Sequence, residues 1–198
     1  MRSHAGFSLI ELMVAITVMT FITGVVVTQF AGFDSAIVTK ARAYDAAQAV
    51  RAAQAFATQI RTQTSSDITF TTQFLTRFTV GSGEILIMRK EDTSQPNTVE
   101  YRQLTAGYKV QEIRVALADT TTRCAQTKDQ QLDIAFRRPE VRANAYDPKS
   151  GTSWITSSSP VVRSYIAITG ADPSLVHWVE IAEPGSVSIV QDAPACGL

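Results

Sequence analysis

The sequence predicts an α+β protein, with a long N-terminal helix over about residues 7–62 and a C-terminal antiparallel β-sheet domain packed on it. Three observations predict it. Residues 7–33 form an almost unbroken apolar run, FSLIELMVAITVMTFITGVVVTQFAGF. Residues 34–62 continue it with good helix formers and no Gly or Pro. After Ser66 the chain changes to alternating, β-branched and aromatic segments separated by turn residues, and no second helical pattern follows.

The first element has the dimensions of a membrane anchor. As a helix, 27 residues rise about 40 Å, against a hydrocarbon layer of about 30 Å. Arg2 lies in the short polar segment MRSHAG before it, which fits an N-in, C-out orientation. A secretory signal has a shorter apolar stretch, with its cleavage site after that stretch. The only charge in 7–33 is Glu11. A charge within a spanning helix costs about 2.5–3.5 kcal/mol on insertion scales, which marks a functional candidate. The alternative is an acid in the first helical turns near the interface, favoured by the helix dipole. Position alone leaves both readings open.

In the second half of the helix, Val38, Ala49, Ala53, Phe56 and Ile60 share one face, and Arg42, Arg51 and Arg61 take polar positions. Gly24 and Gly32 are points where the helix could bend. Strands are expected at 68–80, 84–89, 98–104, 108–118 and 131–137, and then in VVRSYIAIT, LVHWVEIA and GSVSIVQ. DTTTRCAQTKDQ reads as a polar loop holding Cys124, and 147–160 as a long turn-rich loop with Trp154 tucked down.

Composition narrows the chemistry. Eighteen basic and eighteen acidic side chains balance, which gives no support for a generally nucleic-acid-binding surface. A 45% hydrophobic content argues against disorder. Two cysteines, Cys124 and Cys196, and two histidines make a zinc or haem site improbable. Outside the cytoplasm the two thiols can pair; the other reading is two separate buried thiols. No catalytic constellation or phosphate loop is present, so an enzyme reading has no residue support and no cofactor is implied. The pair His177-Trp178 reads as an edge or surface feature. The densest basic group is Arg137, Arg138 and Arg142, alongside Arg89-Lys90. It reads either as solvated strand ends or as a weak phosphate-tracking patch. After Arg163 no Lys or Arg occurs, so the C-terminal part is weakly acidic.

The string Gly6-Phe7-Ser8-Leu9-Ile10-Glu11-Leu12 resembles the class III signal of type IV prepilins and type II secretion pseudopilins. The pattern there is a short leader ending in Gly, then Phe, then an apolar run with Glu fifth after the cut. The resemblance implies a leader (1–6) removed after Gly6 by a prepilin peptidase, and Phe7 as an N-methylated new terminus. It implies a transmembrane and filament-core helix (7–33), the amphipathic half of the same helix (34–62) and a β-rich globular pilin domain (63–198). Glu11 would pair with the Phe7 amine of a neighbouring subunit. Leu9, Ile10, Leu12, Val14 and Ile16 would face lipid before assembly and the filament core after it. Implied partners are other pilin subunits, the inner-membrane assembly platform and the membrane itself. The protein would start as a single-pass inner-membrane protein and end in an extracellular or periplasmic filament. The stretches EILIMRKED, TVEYRQL and HWVEIAEPGSVSIV are similar to the GspH/FimT-like minor-pilin branch, some members of which bind DNA through C-terminal basic residues. This chain departs from that pattern, because its C-terminal part lacks them. A minor pilin is the leading expectation. A type II secretion pseudopilin and a pilin-anchored DNA- or surface-binding module are the alternatives.

Overall fold

The structure, a computed structural model, describes residues 8–58, 72–90, 96–137, 142–148, 155 and 159–196. By its contacts the chain divides into two compact units, Met1–Val38 and Thr39–Leu198. Among the described residues one helix, α1 (Leu9–Thr58), is followed by ten strands. They are β1 (Gln73–Thr79), β2 (Glu84–Lys90), β3 (Asn97–Gln103), β4 (Lys109–Leu117) and β5 (Thr122–Ala125), then β6 (Gln131–Arg137), β7 (Ala143–Tyr146), β8 (Val161–Thr169), β9 (Val176–Ala182) and β10 (Val187–Val190). The layout is α+β, as expected. The strands form two five-stranded sheets rather than one, in the orders β3-β2-β1-β6-β7 and β10-β9-β8-β4-β5. Every pairing is antiparallel.

The second unit is built on the alanine-rich face of α1. Ala43, Ala46, Ala47, Ala49, Val50, Ala53 and Ala57 are buried in one cluster with side chains of both sheets. The first sheet contributes Phe78, Ile85, Ile87, Leu132, Ile134 and Phe136; the second contributes Val110, Ile113, Val115, Ile166, Ile168, Val179 and Ile181. The small side chains of α1 recur at helical spacing, so one face of the helix lies in the core that it shares with both sheets. Of the face expected from sequence, Ala49 and Ala53 are fully buried, Val38 and Phe56 are half-buried, and Ile60 lies outside the described residues. The helix runs unbroken through Gly24 and Gly32.

The sheets are tied to each other by backbone hydrogen bonds at two corners. Gly81 N–H donates to Val110 C=O and Val110 N–H to Ser82 C=O, which links the β1–β2 turn to β4. Ala143 N–H donates to Glu183 C=O, and Glu183 N–H to Val162 C=O, which links β7 to the β9–β10 turn and to β8. The first corner needs glycine at 81, where φ is +84°.

Two expectations are corrected, and one strand is added. The polar segment read as a loop contains β5, paired to β4 with Cys124 opposite Arg114. β7 was not foreseen; it pairs to β6 from Asp133 to Phe136. His177 and Trp178 are not an edge pair, because β9 lies between β8 and β10 and Trp178 is buried. Trp154 lies outside the described residues.

Candidate functional site

The N-terminal part of α1 is the first candidate. Its stretch Leu9–Thr28 has a mean hydropathy of 2.3 and is long and apolar enough to cross a membrane. No part of that stretch is buried within the protein: Leu9, Ile10, Leu12, Val14 and Ile16 are all exposed, as are Met13, Met19 and Phe21. Its hydroxyl groups are satisfied internally. Thr17, Thr20 and Thr23 each donate to the carbonyl four residues back, at 2.7–2.8 Å, and Thr28 to that of Val25 at 2.9 Å. In a medium without water this removes the cost of the lone hydroxyls. Sequence reading passed over these threonines, although their place within the apolar run was visible.

Glu11 behaves differently. It lies in the first turn, where its backbone N–H bonds to the Ser8 carbonyl. Its side chain is exposed. Among the described residues its carboxylate has no hydrogen-bond or ionic partner. Gly6 and Phe7 lie outside the described residues.

The second candidate region is the outer face of the second sheet. Cys124 and Cys196 are joined as a disulfide. Glu112 brings a carboxylate to within 3.4 Å of the Cys196 sulfur. Together these three groups have the spacing of metal ligands, but both sulfurs are used in the bond and no thiolate is left to bind an ion. The Arg114 guanidinium grips Glu112 through Nε (2.8 Å) and Nη2 (3.0 Å), and lies 4.4 Å from the centre of the Trp178 ring. Burial pushes the Glu112 carboxyl up. Hydrogen bonds from Arg114 and Gln126, with the Arg114 charge, outweigh burial and hold it below the usual carboxylate range. None of these partners stands out in sequence, where they are scattered from 112 to 196.

On the outer face of the first sheet, β1–β6 register sets Arg77 opposite Asp133. Two hydrogen bonds of 2.7 Å join them. Burial is the larger influence on Asp133 and raises its carboxyl despite Arg77, while Arg77 is held above its ordinary value by the same contact. Tyr146, beside them, is pushed up to about 12 by burial and the Asp133 charge. The site is a closed ion pair within a small apolar patch of Leu75, Met88 and Ala135.

The fold brings described basic residues singled out in sequence to one end of the first sheet, where Arg142 directly precedes Ala143, the partner of Phe136. Arg137 and Lys90 both lie opposite Gln73, at one end of the first sheet. Arg142 is turned to Glu183 at 3.5 Å. Arg138 lies outside the described residues.

Residues 1–27 match the family model described as a prokaryotic N-terminal methylation motif. The chain therefore carries a type IV pilin-like class III signal, which supports a type IV pilin or pseudopilin and points to a structural protein. With the apolar helix, it fits a membrane-anchored protein that assembles with other pilins and meets a prepilin peptidase. Neither the comparison with curated proteins nor that with solved structures gives a match.

Proposed function

We propose that this chain is a minor pilin, a structural subunit of a type IV pilus-like filament. It is inserted N-in by α1, cut between Gly6 and Phe7, methylated at Phe7 and assembled through its helix. In this reading 1–6 is the leader, 7–33 the membrane and then filament-core segment, 34–62 the amphipathic half, and 63–198 the domain displayed on the filament. The β domain makes surface or tip contacts, and other machinery supplies the movement.

The observation that carries the reading is Glu11. It is the sole charge in an exposed apolar segment inside the matched motif, and it has no partner among the described residues. A carboxylate taken into an apolar bundle is tolerable when it gains a cation. The amine freed at Phe7 of an adjoining subunit is such a cation. A pseudopilin would use the same helix in the same way. A DNA-binding role is the weaker reading, because Arg142 faces the Glu183 carboxylate and the basic and acidic side chains of the chain balance.

The test is Glu11→Ala in cells that make the filament. We expect normal insertion and normal leader removal, with loss of the subunit from sheared filaments. Normal incorporation would remove the basis for the pairing. Gly6→Ala should leave the precursor uncut, and mass analysis of the mature protein should give a methylated Phe7 as its first residue.

A further inference from the structure

After β10 the chain turns back over the outer face of the second sheet. Ala193 packs there with Tyr165, Ala167 and Trp178, all three of which are buried. Three residues later, Cys196 is bonded to Cys124 on β5. Between these points the segment is held by Arg114. Its Nη1 donates to the carbonyls of Ala193 (3.3 Å) and Pro194 (2.8 Å), while the rest of the guanidinium grips Glu112 and stacks on Trp178. Gln126 completes the corner, with its amide donating to Glu112 at 2.9 Å. Strand register places Arg114 directly opposite Cys124. One side chain thus stands beside the fixed cysteine and holds the backbone that carries the other.

We infer that Arg114 is a latch that seats the C-terminal strap (191–196) and so sets the equilibrium between the Cys124–Cys196 disulfide and its two thiols. The Cys196 residue is exposed at the surface. In the exchange with glutathione disulfide, a protein thiolate attacks one sulfur and releases one glutathione thiolate. The second protein thiolate then attacks the mixed disulfide and releases the other. Two electrons pass from the protein to glutathione, and the protons of the two protein thiols end on two glutathione thiols. Unseated, the cysteines meet only by closing a long loop. Seated by hydrogen bonds from a charged donor, they are held close before oxidation. The strap therefore covers Trp178 in both redox states and leaves it only when bond and latch are both lost.

The test uses the full chain in detergent micelles, equilibrated in glutathione buffers, quenched by alkylation and weighed by mass spectrometry. Arg114→Ala should lower the effective concentration of the thiol pair about tenfold or more, equivalent to about 1.4 kcal/mol. Arg163→Ala, on the same face but paired to Glu180, should leave it unchanged. A residue that only stabilised the sheet would not move this equilibrium, because the oxidised and reduced proteins would be weakened alike. A shift of less than twofold for Arg114→Ala would overturn the inference. A second measurement does not need that variant to fold. In a Trp154→Phe background, Cys124→Ser should leave Trp178 as shielded from acrylamide as the oxidised chain does. A chain truncated after Asp192 gives the uncovered reference. Quenching of the Cys124→Ser chain equal to that of the truncated chain would equally overturn it.

Discussion

Replacing Arg77 by Ala should destabilise the β domain by about 3 kcal/mol at neutral pH, the lower end of the range for breaking a buried ion pair. The size follows from the partner left behind. The Asp133 side chain is only 1% exposed and Arg77 is 19% exposed. Removing Arg77 leaves inside the sheet face a carboxylate that loses both hydrogen bonds from Arg77 and keeps the weaker attraction of Lys90. A surface pair would be worth only about 0–1 kcal/mol. The pH dependence is the sharper part. Asp133 already has a raised carboxyl pKa in the folded protein. The native state therefore binds its proton more tightly than the unfolded chain does, and stability from this group falls as pH rises from the ordinary aspartate value through the raised one. Without Arg77 the folded value rises further, so the penalty of the substitution shrinks as pH falls and Asp133 protonates. Urea unfolding of the full chain in micelles, followed by tryptophan fluorescence at pH 7 and pH 4, measures both effects. A cost below about 1 kcal/mol, or an equal cost at the two pH values, would refute the reasoning.

Two further substitutions test the packing. Phe78→Ala removes one of the largest fully buried side chains, from the cluster shared by α1 and both sheets. It should cost about 3–5 kcal/mol in the same unfolding assay. Gly83→Ala places a Cβ 2.6 Å from the Tyr108 backbone carbonyl oxygen. That oxygen belongs to backbone and cannot swing aside like a flexible side chain, so a loss of about 1–3 kcal/mol is expected, seen as a lower urea midpoint.

The fold was legible where a pattern is local. The strands 131–137 and 161–169 were read to the residue, because apolar alternation and flanking turn residues bound them on both sides. β5 and β7 were not read. Each has four residues and polar flanks, and each is a strand because β4 or β6 offers it an open edge. The division into two sheets was also out of reach. Alternation says which side of a strand is buried, but not which strand lies beside it, and β4 finds β8 across the whole β5–β7 segment. Trp178 was misread for the same reason: its neighbours Arg114 and Ala193 are brought to it only by that pairing and by the returning C-terminus.

The candidate site divides along the same line. The signal at 6–12 is contiguous, a short run opening the apolar helix, and its residues could be named from the chain alone. The groups around Arg114 and Asp133 are assembled from distant strands, and no spacing announces them. The structure adds a contrast within the helix that the residue types do not carry. Thr17, Thr20 and Thr23 each close their own hydrogen bond against the preceding turn, so their polarity places no demand on a neighbour. A carboxylate cannot do so, because it accepts and does not donate, and every helical carbonyl behind it is also an acceptor. Glu11 is therefore the group in this segment that a lipid or protein surrounding must answer with a donor or a cation. That need comes from the carboxylate's own chemistry.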